Sequence, residues 1–369
     1  MTAQTDRLVS LDAFRGLTIA GMILVNNPGS WSFVYPPLAH AEWHGWTPTD
    51  LIFPFFLFIL GVAIPISFRR RLAEEEDRRG LLRHIGRRSA ILIGLGLAMR
   101  AVPDFDITEM RWAGVLQRIG LVYFAAAGAY VLLGRRARWM AAAGLLLLYW
   151  AVMVWAPVPG YGAGDLSPDG NLAAYLDRLL MGGHLWQGTW DPEGVLSTLP
   201  AIGTALFGIF TGEWLQSEHE PEELTRRMLL SGLVLVVVGL AWDVVFPINK
   251  NLWTSSYVVF TAGAALLIFG CMYWLIDVRG RRGLWEKWMV VYGMNAIAVF
   301  VASGMLSKAL GRIRVGGADG TSLYAWIFEN GFRSWGGDYN GSLAFACTYV
   351  VLWLGMMWIL HARRIYIKI

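Results

Sequence analysis

The chain has 369 residues, of which 56% are hydrophobic and only 16% are charged. An average soluble domain is roughly 45–50% apolar and about 25% charged, so this composition excludes an ordinary soluble enzyme, a disordered tail and a coiled coil. The mean hydropathy of +0.47, the 19 Trp and the 42 Gly are typical of membrane-surface aromatics and closely packed helices. The composition therefore predicts an all-α, polytopic membrane protein.

Apolar runs of roughly membrane-spanning length follow one another along the whole chain. They lie near residues 11–25, 50–68, 85–101, 113–134, 138–157, 196–216, 228–247, 254–276, 285–309 and 343–361. The sequence therefore predicts about ten transmembrane helices that form one membrane domain over residues 1–369.

The basic residues indicate how these helices are oriented, because Lys and Arg collect in cytoplasmic segments. Most of the 31 Lys and Arg lie in the two ends of the chain and in alternate connecting segments, and residues 69–88 alone have eight Arg. This pattern predicts that both termini are cytoplasmic. It also assigns the net charge of +4 to membrane topology and excludes nucleic-acid binding. Three outer segments follow, at about 27–48, 158–195 and 310–342, and their aromatic residues predict folded structure.

The first outer segment has the first candidate site. His40 and His44 lie in it, and Asp50 follows at the start of the second apolar run. Histidine suits acid–base work near neutral pH, and a carboxylate that enters an apolar helix can orient an imidazole. Asn26, which ends the first run, can donate a hydrogen bond to a developing oxyanion. The plain alternatives are surface histidines and a helix cap at Asp50.

A buried charge in the fourth run is the second candidate. Gln117 and Arg118 lie several residues inside this apolar run, where an ionisable group is costly and is a functional candidate. Arg118 either binds an anionic ligand or pairs with a loop acid such as Asp191 or Glu193. The two alternatives stay open from the sequence.

Two other positions raise the same question at the ends of the membrane. Arg15 follows Asp12 at a spacing that allows pairing on one helix face, or it helps to hold an anionic ligand at the cytoplasmic mouth. Asn295 is a polar amide in the ninth run and needs hydrogen-bond partners there. The segment 250–257 is polar and aromatic, and it either lines a cavity or forms an interfacial aromatic belt. The two Cys and the absence of a metal-ligand motif predict no metal site.

Taken in chain order, these motifs resemble the heparan-α-glucosaminide N-acetyltransferase family, including its bacterial members. The matching segments are Leu11–Gly16, Val25–Asn26, His40–Gly45, Asp50–Gly61, Leu116–Gly120, Tyr175–Arg178, Asp191–Gly194, Asn249–Tyr257, Gly293–Asn295 and Arg363–Lys368. They cover nearly the whole chain, and one departure is His44, where the family often has Asn.

The resemblance implies an enzyme of the bacterial inner membrane that moves an acetyl group from cytosolic acetyl-CoA to an amino sugar on the far side. It implies that His40, in the outer loop, is the catalytic residue, either as general base or as an acyl carrier, with Asp50 and Asn26 beside it. The residues expected to hold acetyl-CoA are Arg15, Gln117, Arg118, Lys250, Asn251, Trp253, Ser256, Tyr257 and Asn295. The residues expected to hold the acceptor are Trp43, His44, Asp177, Arg178, His184, Asp191 and Glu193.

An amino-sugar permease without acyl transfer is the alternative function, since about ten spans with a polar segment are also typical of transporters. The expected partners are acetyl-CoA, a sugar acceptor and membrane lipids, and a homodimer is one alternative for the oligomeric state. The identity of the acceptor, the acyl chain and the order of the transfer steps stay open from the sequence.

Overall fold

A computed structural model of the chain describes residues 8–73, 78–102, 105–106, 108–317 and 320–367. Its residues group into two compact units. The first unit comprises Met1–Ala41, Thr47–Phe56 and Cys271–Lys368, and the second comprises Glu42–Trp46 and Leu57–Gly270. This grouping does not test the prediction of one membrane domain over residues 1–369, which stays a prediction.

The described residues are predominantly α-helical, which confirms the predicted all-α class. The helices are α1 (Val9–Asn26), α2 (Ile52–Ala73), α3 (Arg78–Ala101), α4 (Val115–Leu132), α5 (Arg135–Trp155), α6 (Leu172–Met181), α7 (Thr198–Leu215), α8 (Pro221–Asp243), α9 (Ser255–Tyr273), α10 (Leu284–Met294), α11 (Ala296–Arg312), α12 (Leu323–Phe328) and α13 (Ser334–Ala362). Two short antiparallel hairpins pair β1 (Pro157–Val158) with β2 (Gly162–Ala163) and β3 (Arg314–Val315) with β4 (Thr321–Ser322).

The ten predicted apolar runs lie on helices, the ninth of them on both α10 and α11, but the count of ten spans is not confirmed. Among the described residues, seven helices are long and apolar enough to cross a membrane, or eight if α10 and α11 together form one broken span. Helix α3 does not qualify because six of its 24 residues are Arg. Helix α7, which includes Glu213, is also not among the seven. Several apolar helices nevertheless establish an integral membrane protein.

In the first unit, α1 and α10 approach each other at two glycines. A Cβ built on Gly16 would lie 1.6 Å from the Met289 carbonyl oxygen, and one built on Gly293 would lie 2.0 Å from the Asp12 carbonyl oxygen. Such close backbone contact needs small residues and is typical of helices that pack in membranes. Beyond Gly293 the chain bends by 78° between α10 and α11, so the ninth predicted run is a broken helix.

In the second unit, α2 and α7 also approach each other closely at two glycines. A Cβ on Gly61 would lie 2.1 Å from the Ala205 carbonyl oxygen, and one on Gly208 would lie 2.1 Å from the Phe58 carbonyl oxygen. Helices α8 and α9 also meet at a glycine, since a Cβ on Gly263 would lie 2.6 Å from the Val236 nitrogen. These contacts explain why glycine is frequent in runs that are otherwise strongly apolar.

The three predicted outer segments contain local structure. The first holds two turns of 3-10 helix, Pro36–Leu38 and Pro48–Leu51. The second holds the β1–β2 hairpin and α6. The third is shorter than the predicted 310–342, because α11 continues to Arg312 and α13 already begins at Ser334, with a kink at Gly337 where φ is 69°.

Candidate functional site

The first cluster, in the first unit, is built by His40 and Asp50. His40 Nδ1 lies 2.6 Å from Asp50 Oδ1, the His40 side chain is 45% exposed, and the Asp50 side chain is only 1% exposed. An ionised carboxylate only accepts hydrogen bonds, so Nδ1 carries the hydrogen that is donated to Asp50. The lone pair of the neutral imidazole is then on Nε2. The pairing predicted from the sequence is therefore present.

Local sequence explains why Asp50 is in place to orient His40. Pro48 begins the 3-10 turn, and Asp50 Oδ2 accepts hydrogen bonds from the backbone N–H groups of Thr47, at 3.0 Å, and Ala41, at 3.1 Å. The Thr47 hydroxyl donates to the Ala39 carbonyl at 2.6 Å, which ties the loop back across the same turn. Asp50 is thus both the helix-start acid of the plain alternative and the carboxylate that orients the imidazole.

Asn26, the third residue predicted for catalysis, is exposed at the end of α1. The next residue is the buried one: Asn27 Nδ2 donates to the Ile23 carbonyl at 2.8 Å, and Asn27 Oδ1 accepts from the Ser307 hydroxyl. A catalytic role for Asn26 stays a prediction.

Trp43 and His44, later in the same loop, are held within the second unit. The Trp43 indole N–H donates to the Leu166 carbonyl at 2.8 Å, and its ring packs edge-on against Trp190 with centroids 5.0 Å apart. His44 Nδ1 lies 3.3 Å from the amide nitrogen of Asn249. Since that nitrogen donates, Nδ1 accepts, and the His44 hydrogen lies on Nε2. Burial lowers the pKa of His44, and the charge of Asp243 opposes that shift.

The second cluster surrounds Arg118 on α4, in the second unit. Arg118 is 1% exposed, and its Nη2 donates to the Gly194 carbonyl at 3.1 Å and to the Ser197 hydroxyl at 2.5 Å. The guanidinium carbon lies 5.1 Å from the centre of the Trp253 ring. Within the described part of the chain, Arg118 Nε and Nη1 have no hydrogen-bond partner. A buried cation that makes hydrogen bonds only to neutral groups is a natural binding site for an oxygen of a ligand.

The sequence suggested Asp191 or Glu193 as a possible partner of Arg118, but the structure gives both acids to Arg111. Arg111 Nε lies 2.7 Å from Asp191 Oδ2, its Nη2 lies 2.5 Å from Asp191 Oδ1, and Nη2 also contacts Glu193. Sequence reasoning does not find Arg111, because its partners are 80 and 82 residues away. The pairing alternative for Arg118 is therefore wrong.

Asp177, on α6, is buried beside Gly194, whose carbonyl accepts a hydrogen bond from Arg118. Its Oδ1 accepts a hydrogen bond from the Val195 N–H at 2.8 Å, and a Cβ on Gly194 would lie 1.9 Å from Oδ2. A side chain at position 194 would therefore force the Asp177 carboxylate to move. Burial raises the pKa of Asp177 to about 6, although the Val195 hydrogen bond and the charge of Arg118 act against that rise.

Arg178 and His184 have partners in the second outer segment and in the chain before α4. Arg178 donates to the Asp169 and Thr189 carbonyls at 2.9 and 3.0 Å. His184 stacks on Trp112 with ring centres 3.9 Å apart, and its Nδ1 donates to a backbone carbonyl at 2.8 Å. These contacts show that the segment is folded, as predicted; its location on the outer side and a role in holding the acceptor stay predictions.

The segment 250–257 forms one wall of the Arg118 cluster. Trp253 is buried with a positive φ of 53°, and its indole N–H donates to the Thr204 hydroxyl at 3.2 Å. Tyr257 packs edge-on against it at 5.4 Å. Ser256 is fully buried, whereas Lys250 and Asn251 are half-buried. The sequence predicted this segment and Arg118 separately, and the structure brings Trp253 and Arg118 together.

The remaining predicted donor-binding residues have partners inside the protein. Arg15 pairs with Asp12 at 3.0 Å, as one sequence alternative proposed. Gln117 Nε2 donates to the Trp112 carbonyl at 3.1 Å. For both residues a role in holding acetyl-CoA stays a prediction.

Asn295 lies at the bend between α10 and α11 and is 1% exposed. Its amide nitrogen donates to the Ile365 carbonyl at 3.2 Å, and its oxygen accepts from the Ile367 N–H at 2.8 Å. The amide therefore holds the C-terminal tail at the bend. This contact satisfies the buried amide by itself, and a donor-binding role for Asn295 stays a prediction.

Apolar helices, an exposed histidine oriented by a buried carboxylate, and a buried arginine with spare donors define an integral membrane protein with a candidate acid–base site. Comparison with known proteins identifies the family. The model of the catalytic region of heparan-α-glucosaminide N-acetyltransferase matches residues 7–240, and the chain belongs to that family.

Two curated relatives agree with this assignment. The heparan-α-glucosaminide N-acetyltransferase of Homo sapiens is 30% identical over 361 residues, which covers 82% of this chain and 53% of the human protein. The enzyme of the same name from Mus musculus is 31% identical over 366 residues, which covers 83% of this chain and 54% of the mouse protein. The chain thus spans about half the length of the curated relatives that it matches.

Proposed function

We propose that this protein is a membrane acyltransferase that moves an acetyl group from acetyl-CoA to the amine of a glucosamine-type sugar. The observation that carries the proposal is the His40–Asp50 pair, an exposed imidazole held by a buried carboxylate within the residues that the family model matches. The relatives, named as N-acetyltransferases acting on heparan-α-glucosaminide, support the reaction class, and they do not favour the permease alternative.

The chemistry requires a base at the acceptor amine. In the proposed step the amine nitrogen attacks the thioester carbonyl carbon while His40 Nε2 removes a proton from that nitrogen. The tetrahedral intermediate then collapses, the carbon–sulfur bond breaks, and the imidazolium returns the proton to the leaving thiolate. Asp50 contributes by keeping hydrogen on Nδ1, so that the lone pair stays on Nε2, and by stabilising the imidazolium that forms.

Arg118 is the residue that we assign to the donor. Acetyl-CoA has phosphate, amide and thioester oxygens, and each of these groups accepts hydrogen bonds. The buried Nε and Nη1 of Arg118, which lack a partner among the described residues, fit such an oxygen. A hydrogen bond from a buried guanidinium is strengthened by the low local dielectric, and Trp253 stabilises the cation from its ring face.

The proposed orientation rests on the distribution of basic residues. The topology that places most Lys and Arg on the cytoplasmic side has both termini in the cytoplasm of a bacterial cell, with the helices in its inner membrane and His40 on the opposite side. In this arrangement the donor comes from the cytosol and the acceptor lies outside. Membrane lipids surround the helices, and assembly as a homodimer stays a prediction.

The direct test uses purified full-length protein in detergent, labelled acetyl-CoA and glucosamine. We expect labelled N-acetylglucosamine from the wild-type protein and a loss of about 10³-fold in turnover from His40→Ala, because positioned general bases contribute roughly 10²–10⁴-fold. Size-exclusion profiles check that the variant is folded. Uptake of unmodified sugar by vesicles with no requirement for acetyl-CoA would contradict the proposal and support a permease.

A second measurement separates the two roles open to His40. Protein is mixed with labelled acetyl-CoA in the absence of acceptor and quenched within a single turnover. Direct transfer predicts unlabelled protein, whereas an acyl-imidazole intermediate predicts label that is lost in His40→Ala.

A further inference from the structure

Two arginines approach the same turn of chain, Asp191–Gly194, but they receive very different partners. Arg111 has both carboxylates of the turn, Asp191 and Glu193. Arg118 reaches the same turn, and among the described residues its hydrogen-bond acceptors are the Gly194 carbonyl and the neighbouring Ser197 hydroxyl. Of these two arginines, Arg111 therefore pairs with both acids of the turn and Arg118 hydrogen-bonds to neither.

The carboxylates differ in how firmly the backbone holds them. Asp191 also accepts hydrogen bonds from the backbone N–H groups of Trp186, at 3.1 Å, and Glu193, at 2.9 Å. The Glu193 carboxylate has Arg111 as its side-chain partner in the described structure, and it is 8% exposed. Loss of the Arg111 cation would leave Asp191 anchored and Glu193 buried without a partner.

A buried carboxylate without a cation is strongly destabilised, so a released Glu193 moves towards a cation that still has N–H groups to donate. Arg118 is buried, its Nε and Nη1 have no partner among the described residues, and its Nη2 donates to the carbonyl of the very next residue, Gly194. Both acids of the turn already interact electrostatically with Arg118. Asp177, the other acid nearby, accepts from the Val195 N–H. Arg100 also interacts electrostatically with Asp191 and Glu193, but its side chain is exposed and lies over the Trp186 ring, whereas Arg118 is buried.

We propose that Arg111 is a positioning residue that holds Glu193 and Asp191 away from Arg118, so that Arg118 keeps its spare N–H groups for an oxygen of acetyl-CoA. This inference rests on the proposed function, because it assumes that Arg118 meets the donor. Arg111 itself touches neither substrate. Arg111, which pairs with both acids, therefore has a structural role, and Arg118, which pairs with neither acid, binds the ligand.

The experiment measures binding of coenzyme A, without an acetyl group and without turnover, to the purified full-length protein by isothermal titration calorimetry. We expect Arg111→Gln to raise the Kd about tenfold, because the released Glu193 competes for Arg118. The double variant Arg111→Gln with Glu193→Gln removes the competing charge, and its Kd returns to within about threefold of the wild-type value. The matched control Arg226→Gln breaks an exposed ion pair with Glu223 and keeps the wild-type Kd.

The rescue distinguishes positioning from simple structural support, because the double variant has even fewer of the native contacts. A Kd for Arg111→Gln equal to that of wild type, or a double variant as weak as the single one, overturns the proposal. If Arg111→Gln does not give a monodisperse protein, Arg111→Lys replaces it, which keeps one cation and loses the two-pronged contact to Asp191; its Kd should also rise and be restored by Glu193→Gln.

Failure of the proposed function has a different signature. Wild-type protein that binds no coenzyme A, or Arg118→Gln protein that binds it as tightly as wild type, would remove the donor from Arg118 altogether and overturn both proposals. Weakened binding in Arg118→Gln together with unchanged binding in Arg111→Gln would overturn only the positioning role.

Discussion

The His40–Asp50 pair and the Arg118 cluster differ in solvent exposure and in hydrogen bonding. His40 is half exposed, and its orientation comes from a buried carboxylate that the backbone holds with two N–H groups. Arg118 is fully buried, yet two of its nitrogens lack a partner within the described residues. A side chain that transfers protons needs a defined tautomer and access to substrate. A side chain that binds a ligand oxygen needs N–H groups without a protein partner in a site that excludes water. Completed hydrogen bonding at one site and incomplete hydrogen bonding at the other therefore indicate different roles.

The largest expected effect is on turnover, and it comes from a substitution at Asp50 in the His40–Asp50 pair. Asp50→Asn keeps the shape of the side chain but can present its amide N–H₂ to the imidazole, which favours hydrogen on Nε2 and removes the lone pair from the reacting side. We expect turnover to fall by about 10²-fold or more, with a small change in the KM for acetyl-CoA. The assay is labelled acetyl transfer at saturating donor.

The control for Asp50→Asn is Asp165→Asn, which alters an exposed loop acid that accepts from the Ser167 N–H and should leave turnover unchanged. Since Asp50 also accepts from Thr47, thermal melting of both variants separates a loss of stability from a loss of catalysis. Normal turnover in a folded Asp50→Asn protein would contradict the role assigned to this carboxylate.

The effect of intermediate size is on the KM for acetyl-CoA, and it comes from substitutions at Arg118. Arg118→Gln removes the cation and most of its donors, and we expect the KM for acetyl-CoA to rise about tenfold while turnover at saturating donor changes much less. Arg118→Lys keeps the charge but loses the planar donor arrangement, so its KM should lie between the two values. Initial rates over a range of acetyl-CoA concentrations give both constants. An equal fall in turnover with an unchanged KM would move Arg118 from donor binding to the chemical step.

The smallest effect concerns pH and the Asp177 carboxyl. Burial raises its pKa to about 6 from an ordinary value of 3.8, so the folded protein binds a proton between about pH 4 and 6 that the unfolded chain does not bind. This contribution to stability is largest at acidic pH and is lost as the pH rises through 6. Between pH 5 and 7.5 it amounts to roughly 1 kcal/mol.

Melting curves at the two pH values check this sign. The Asp177 carboxyl lowers the Tm of the wild-type protein as the pH rises from 5 to 7.5. In Asp177→Asn this part of the fall, a few degrees, should be missing, because the variant has no proton to exchange at that position. Asn retains an oxygen that can accept from the Val195 N–H. An identical pH dependence in wild type and variant would mean that Asp177 is ionised throughout this range.

The sequence predicts the His40 site better than the Arg118 site because of separation along the chain. His40 and Asp50 are ten residues apart and are joined by one loop, so proximity follows from local geometry. Arg111 and Asp191 are 80 residues apart, and no pattern in either segment links them. The sequence therefore names the acids of the turn and offers Arg118 as a partner in one of two alternatives, but it does not find Arg111, which pairs with both.

The helices show the same division. The predicted apolar runs lie on helices, because burial of apolar side chains in lipid and hydrogen bonding of the backbone are both local requirements. Which runs cross the membrane is less well determined: α3 has too many Arg, and the ninth run bends by 78° at Asn295. The amide of Asn295 finds its partners in Ile365 and Ile367, about 70 residues later, which a local pattern does not contain.

The sequence by itself determined that this is an all-α membrane protein, that it resembles one acetyltransferase family, and that His40 and Asp50 belong together. Composition and the apolar runs are enough for the first conclusion, motifs matched in chain order carry the resemblance, and short-range spacing brings His40 and Asp50 together. Only the tertiary structure decided which cation neutralises Asp191 and Glu193 and which stays unpaired, because buried charges choose partners by three-dimensional proximity and not by order along the chain. That choice separates Arg111 from Arg118, and it leads to the donor site proposed for this protein.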